Sequence, residues 1–278
     1  MAKKKMSIPG LQVKKEKGEK IVMVTAYDYA VAKIAEASEA DIILVGDSLG
    51  NVMLGYDTTV PVTLEDMIHH TAAVARGVKN TLVIADMPFG SYQCSKEQAI
   101  ANAIRLMKEG GAHGVKVEGG GEIAHIVQAL VKMGIPVMGH IGLTPQTVSK
   151  LGGYKIQGKD EEAAYALVEA AQAIEEAGAF SLILECVTKE VAGMVTEKVD
   201  IPTIGIGAGV DCDGQVLVLH DMLGYDTSFN QVFVKKYANL GEIILQAFDA
   251  FAADVRSGAF PDDAHSFAMD ADELKKIY

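Results

Sequence analysis

The 278-residue chain has no tryptophan, and aromatic residues make up only 6% of it. A stacking platform for nucleic-acid bases or sugars is hard to build from so few rings. Cysteine is scarce too. Cys94, Cys186 and Cys212 are far apart and form no CxxC pair. This excludes a disulfide framework and a cysteine zinc site, and fits a reducing compartment. Positive charge is outnumbered, with 25 Lys and Arg against 37 Asp and Glu for a net charge of −12, so a phosphate-backbone partner is not expected. Long apolar runs are missing, which argues against a membrane span. Lys3, Lys4 and Lys5 are followed by no apolar run before Ile21, so they do not open a signal peptide. These absences predict a cytoplasmic protein with no membrane or nucleic-acid partner.

What remains is 49% hydrophobic, enough for a sizeable core. Short apolar, β-branched runs of the kind that form buried strands recur along it. They lie at 20–25, 42–45, 82–85, 113–118, 136–141, 181–185, 202–206 and 215–219. Helical patterns separate them, at 29–39, 63–76, 96–109, 122–132, 160–177 and 188–198. A long helix is expected at about 234–256. Residues 6–18 read as a lysine-rich helix or loop. Thr63 is an expected N-cap, and Ser95 with Gln98 fits a capping box. Residues 144–158 read as a loop near the mouth of a site, and the tail from Ser257 as irregular until Asp272. No linker or composition shift interrupts the series. The pattern predicts an α/β chain, a single-domain (β/α)8 TIM barrel over residues 1–278 with a short N-terminal extension and an irregular C-terminal tail. A doubly wound open sheet is the alternative. It would usually carry a glycine-rich first turn, and Ala26-Tyr27-Asp28 is not one.

The strand ends carry the chemistry. Ile42-Ile-Leu-Val45 stops at Gly46, and Asp47 and Ser48 follow at once. Asp86, Glu118 and Glu185 end three further strands. In a barrel, four carboxylates would converge on one mouth, where unrelieved repulsion raises pKa values strongly. A divalent cation removes that conflict. Oxygen donors without a Cys–His cluster point to Mg2+ or Mn2+. Taken singly, Asp47 and Asp86 could cap turns, and Glu118 and Glu185 could pair with basic residues. Lys116 lies two residues before Glu118 and shares its face of the strand, so it needs an anionic partner. His140 ends the fifth strand, as a substrate contact or a neutral core histidine. Gly205-Ile-Gly207-Ala-Gly209 has the look of a barrel phosphate loop or of close backbone packing. Gly119-Gly120-Gly121 is equally ambiguous. His69 and His70 read as surface residues of a helix, and Cys186 as an inert thiol pointing away from the barrel interior.

Several segments together carry a resemblance. They are Val24-Thr-Ala-Tyr27-Asp28, Val45-Gly-Asp47-Ser48-Leu-Gly50, Ala85-Asp86-Met-Pro-Phe-Gly90, Val115-Lys116-Val-Glu118-Gly-Gly, Met138-Gly-His140-Ile-Gly-Leu-Thr-Pro145, Leu184-Glu185 and Ile204-Gly-Ile-Gly-Ala-Gly209. In this order, and with the Phe260-Pro261 and His265-Ser-Phe267 tail, the chain resembles the ketopantoate hydroxymethyltransferase family. No functional position departs from the pattern. The resemblance implies a (β/α)8 barrel and a cytoplasmic, decameric transferase of pantothenate biosynthesis. Its substrate would be 3-methyl-2-oxobutanoate, its cosubstrate 5,10-methylenetetrahydrofolate, and its products 2-dehydropantoate and tetrahydrofolate. It further implies that Asp47 and Asp86 bind Mg2+ directly and that Glu118 completes the metal site, directly or through water. Asp47, Ser48, Asp86 and Lys116 would hold the 2-oxo acid, and Glu185 would be the proton acceptor. His140 would serve the substrate or the folate side. A 2-oxo acid chelated to Mg2+ would react as its enolate. The rivals are a Mg2+-dependent lyase of 2-oxo or 2-hydroxy acids and a non-catalytic barrel that binds metal or anions as a scaffold.

Overall fold

The computed structural model describes residues 3–153, 155–226 and 231–277. Residue 154, within the expected 144–158 loop, lies outside them. Among the described residues, eight parallel strands close into a barrel in sequence order, β1-β2-β3-β4-β5-β6-β7-β8. They are β1 (Ile21–Thr25), β2 (Ile42–Val45), β3 (Leu82–Asp86), β4 (Gly114–Glu118), β5 (Val137–Gly142), β6 (Ser181–Glu185), β7 (Thr203–Ile206) and β8 (Gly214–Leu217). β8 returns to β1 with Val24 opposite Leu217. The ring is closed, so the open-sheet alternative falls.

Alternation along the strands builds two apolar layers. Ile42, Leu44, Leu82, Ile84, Met138, Ile183, Ile204 and Val216 fill the barrel's interior. Ile43, Val45, Val83, Val115, Val117, Leu182 and Leu184 pack outward among helix residues such as Met67, Leu106, Leu130 and Ile174. These come from α4 (Leu64–Gly77), α5 (Lys96–Lys108), α6 (Ala124–Lys132) and α8 (Glu161–Glu176); the numbering follows α1 (Ile8–Glu16), α2 (Tyr29–Ala37), α3 (Leu49–Val52) and α7 (Val148–Leu151). The glycine of β5, Gly139, lies against Ile174 and Leu182, where a Cβ would clash.

The helix starts follow the hydroxyl and carboxylate residues that precede them. Thr63 and Asp66 form a reciprocal capping box on α4. At α5 only half of the expected box forms. Ser95 accepts from the Gln98 N–H, but the Gln98 side chain donates to the Gly90 carbonyl instead. Pro9 is tolerated in α1 because the first turn needs no N–H from it.

α1 closes the N-terminal end of the barrel. Its Leu11 is fully buried and joins the interior layer. Lys14 pairs with Asp41 at 2.6 Å, before β2. Lys15 donates to the carbonyls of Val199 and Ile201, both at 2.9 Å, and pairs with Asp213 at 3.1 Å. The helix is thereby tied to the entries of β7 and β8.

Several boundaries differ from the sequence reading. β8 ends at Leu217 rather than running to Leu219, because the Leu219 N–H turns to Thr25 Oγ1 and opens α10 (Leu219–Leu223). The long helix starts late, as α11 (Leu240–Ser257), because the Tyr237 N–H is spent on the Met222 carbonyl. The 144–158 segment contains a 3-10 turn at Pro145–Thr147 and then α7. After α9 (Lys189–Lys198), the tail carries a 3-10 turn at Asp263–His265 and α12 (Ala271–Leu274).

The chain divides into two compact units, residues 1–219 with the barrel and residues 220–278. In the second unit, α11 has no buried residue. Phe260 stacks edge-on near Phe251 with centroids 5.6 Å apart. Among the described residues, no helix is long and apolar enough to cross a membrane.

Candidate active site

Strand register assembles the charged cluster at the C-terminal end of the barrel. β3 and β4 pair Asp86 with Lys116, and β4 and β5 pair Glu118 with His140. β5 and β6 pair Gly142 with Glu185, one step from His140. Asp86, Lys116, Glu118, His140 and Glu185 all lie on the inward-pointing set of their strands, with Ile84, Met138 and Ile183 below them. Asp47 comes just past β2. Its backbone N–H donates to Asp86 Oδ2 at 3.0 Å, which brings the two carboxylate residues together.

Asp47, Asp86, Lys116, Glu118 and His140 are all at most 5% exposed. Lys116 is the hub. Its Nζ lies 3.3 Å from Asp86 Oδ2, 3.4 Å from Glu118 Oε1 and 3.0 Å from His140 Nδ1. Burial alone would lower its pKa, but Asp86, Glu118 and Asp47 outweigh burial and raise it. Lys116 is therefore charged. Burial acts against the Glu118 anion, and Lys116 and His140 overcome it, bringing its pKa down to about 2. Asp47 goes the other way. Burial, then repulsion from Asp86 and Glu118, push its pKa well up. Burial also raises Asp86, with partial relief from Lys116. Three buried carboxylates share this lysine, and the two aspartates resist ionisation.

His140 bridges this cluster to Glu185, with Nε2 3.2 Å from Glu185 Oε2 at an angle too oblique for a hydrogen bond. Burial and Lys116 lower the His140 pKa, whereas Glu118 and Glu185 raise it, to about 9 in balance. The His140 Nδ1 lies 3.0 Å from Lys116 Nζ and 3.3 Å from Glu118 Oε1, between a cation and an anion. Glu185 is the most accessible of the acids, with its side chain 17% exposed. It is followed by Cys186 in the left-handed region at φ 49°. Burial and the Glu185 charge raise the Cys186 pKa to about 11, in keeping with an unreactive thiol. Ser48 Oγ lies 2.9 Å from the Tyr27 hydroxyl.

The donor set suits a hard divalent cation in part. Among the described residues, no group of three His, Cys, Asp or Glu side chains stands ready to hold a metal ion. Asp86 Oδ1, however, is buried without a hydrogen-bond partner, and burial with too little compensating positive charge raises the pKa of both Asp47 and Asp86. Two carboxylates are what Mg2+ usually takes from a protein, with water and substrate oxygens completing its octahedron. The residues therefore fit Mg2+. Both Glu118 oxygens are already engaged, Oε1 near Lys116 and His140 and Oε2 by the Gln146 N–H at 3.0 Å.

Two residues of the cluster are not among the sequence candidates. Gln146 lies in the 144–158 segment read as a loop near the mouth of a site, and Tyr92 is not singled out by any motif. Yet Gln146 is 3% exposed, and its Nε2 donates to Asp47 Oδ2 and to the Met87 carbonyl, each at 2.9 Å. Tyr92 donates to Gln146 Oε1 at 2.8 Å. The other candidates lie apart from the cluster. His69 is exposed, and His70 Nδ1 donates to the Tyr27 carbonyl at 2.7 Å. Gly205 serves packing, since a Cβ there would press on Cys212 and Gln215.

A closed (β/α)8 barrel with buried acids, a lysine and a histidine at its strand ends defines an α/β-barrel enzyme. The family model for ketopantoate hydroxymethyltransferase matches residues 5–263. The chain belongs to the ketopantoate hydroxymethyltransferase family. It is 54% identical over 274 residues to the 3-methyl-2-oxobutanoate hydroxymethyltransferase of Carboxydothermus hydrogenoformans, covering 99% of both chains. It is 56% identical over 275 residues to that of Heliobacterium modesticaldum, again with 99% of each covered. The chain is accordingly an enzyme, a hydroxymethyltransferase of 3-methyl-2-oxobutanoate, and the lyase and scaffold alternatives fall. Solved structures share the fold at low identity. One is phosphonopyruvate hydrolase in complex with oxalate and Mg2+, at 14% identity and a TM-score of 0.60 over 98% of this chain and 94% of that one. Another is 2,3-dimethylmalate lyase, a PEP mutase/isocitrate lyase superfamily member, at 18% identity and a TM-score of 0.58 over 97% and 93%.

Proposed function

We propose that the one-carbon donor is 5,10-methylenetetrahydrofolate and that the reaction proceeds through the enolate of 3-methyl-2-oxobutanoate, with Mg2+ at Asp47 and Asp86. The observation that carries this reading is the uneven charge of the cluster, three buried carboxylates about one lysine with Asp86 Oδ1 unpaired. Mg2+ bound there would supply the positive charge that makes the C3 proton of a chelated 2-oxo acid acidic.

The protein's own groups do the rest. Lys116, fully charged, offsets the substrate's carboxylate. Asp47, Ser48 and Asp86 complete the oxo-acid pocket, with Ser48 steadied by Tyr27. Glu118 holds Lys116 and His140 and would complete the metal site. Glu185 takes the C3 proton as general base. His140 stands beside Glu185 and contacts the substrate. C3 then bonds to the one-carbon unit. Water supplies the hydroxyl oxygen as the carbon–nitrogen bonds to the folate break, and the two protons pass to the folate nitrogens. The products are 2-dehydropantoate and tetrahydrofolate, in pantothenate biosynthesis.

The same reading makes residues 1–278 one barrel domain with a C-terminal tail, and the enzyme a cytoplasmic homo-oligomer, a decamer. Free Cys94, Cys186 and Cys212 support a reducing compartment. Ile243, Phe248 and Phe251 of α11, each more than half exposed, support burial against further copies. The test incubates the full chain with 3-methyl-2-oxobutanoate, methylenetetrahydrofolate and Mg2+ and follows 2-dehydropantoate by NMR. The expected result is product formation that stops when folate is omitted or the metal is chelated. Product formed without folate would overturn the donor, and product formed under chelation would overturn the metal.

A further inference from the structure

The amide of Gln146 donates to Asp47, and all of its hydrogen-bonding groups are used. The Glu118 N–H donates to the Tyr92 oxygen at 3.1 Å, and the phenolic proton has two acceptors in reach, Gln146 Oε1 at 2.8 Å and the Glu118 carbonyl at 3.1 Å. The Met87 carbonyl, a pure acceptor, lies 2.9 Å from Nε2. A flipped amide would set oxygen against that carbonyl and against Asp47 Oδ2. The nitrogen must therefore face Asp47, and its second N–H donates to Asp47 Oδ2 at 2.9 Å. The Gln146 backbone N–H meanwhile donates to Glu118 Oε2 at 3.0 Å. One residue thus holds Asp47 at the end of β2 and Glu118 at the end of β4 in fixed relation, with the Met87 carbonyl setting the orientation of its amide and the Tyr92 hydroxyl supporting it. Tyr92, Gln146 and their partners are all buried, so no water competes for these bonds.

We infer that Gln146 is a positioning residue for the divalent cation. Its amide, polarised and locked by Tyr92 and Met87, fixes the orientation of Asp47 so that Oδ1, and not Oδ2, is turned to the cation. This inference rests on the reading of Asp47 and Asp86 as metal ligands. It assigns Gln146 no contact with substrate.

The test uses the full chain freed of metal, Mn2+ alone as the probe, and electron paramagnetic resonance to count free ion. Gln146→Met keeps length and volume but removes the donor. It should bind Mn2+ roughly ten- to a hundred-fold more weakly, the worth of a hydrogen bond to a charged group. In turnover, the variant's kcat should recover as Mg2+ is raised, a rescue that a loss of packing would not allow. Tyr92→Phe keeps the amide but releases its lock, and should weaken Mn2+ binding in the same direction by a smaller factor. If Gln146→Met fails to fold, Tyr92→Phe decides. Wild-type Mn2+ affinity in a folded Gln146→Met, or in Tyr92→Phe when it alone folds, overturns the inference. Failure of the wild-type chain itself to bind Mn2+ would instead bring down the metal reading on which it stands.

Discussion

At the residue scale, the site separates carboxylates by their company. Glu118 is held as an anion by Lys116 and His140, whereas Asp47 and Asp86 sit beside each other with too little positive charge. Glu185 is set off from both groups behind His140. That separation supports the proposed role of Glu185 as a base that meets substrate and not metal. Glu185→Gln should leave Mg2+ and oxo-acid binding in place and lower turnover by roughly 10²–10⁴-fold, the usual worth of a general base. Deuterium exchange at C3 of 3-methyl-2-oxobutanoate in heavy water, with Mg2+ and without folate, gives the direct readout. The wild type should exchange and the variant should not. Exchange at the wild-type rate would move the base to another group, with His140 nearest. Most of these residues are legible in the sequence, because each ends an apolar run at a place where a polar side chain has to have a purpose. Gln146 is not, since what singles it out is its contacts with Asp47, Met87 and Tyr92, far away along the chain.

At the scale of elements, strand register is what turns separate strand ends into a site. Apolar runs mark the strands, and alternation correctly puts Ile183 and Glu185 on one face with Leu182 and Leu184 on the other. Neither shows that Asp86 stands level with Lys116, or Glu118 with His140, which only pairing determines. The late start of α11 is hidden for a similar reason, because the Tyr237 N–H finds its acceptor in α10, at the Met222 carbonyl. Register also exposes a weak point. Gly142 pairs with Glu185 at φ 93°, and a Cβ there would overlap the Glu185 carbonyl oxygen and lie 2.7 Å from Val187 Cγ2. Gly142→Ala should therefore push the end of β6 outward. The expected result is a lower melting temperature and lost C3 exchange, with Mg2+ affinity by calorimetry unchanged. Full exchange in a folded Gly142→Ala would mean that β6 yields without moving Glu185.

At the scale of the whole molecule, pH acts outside the barrel as well as in it. Burial, then repulsion from Asp226, raise the Asp221 pKa to about 6. A raised carboxylate pKa means that the folded state holds the proton more tightly. Stability is then unaffected by this group at pH below about 4, falls as the unfolded chain ionises first, and stays reduced above about pH 6. Asp221→Asn removes the penalty. Its melting temperature should match the wild type near pH 3.5 and exceed it at pH 7.5. A gain that is equal at both pH values would assign the effect to something other than this ionisation.

The helix that seals the base of the barrel has a kinetic consequence. With Leu11 filling the lower end and Lys14 and Lys15 fastening it, the packed interior leaves approach only at the strand ends that carry Asp86, Lys116, Glu118 and Glu185. On the proposed reading, the 2-oxo acid would bind at that floor before the folate closes over it, so initial-rate kinetics should show ordered addition, and random addition would count against that order.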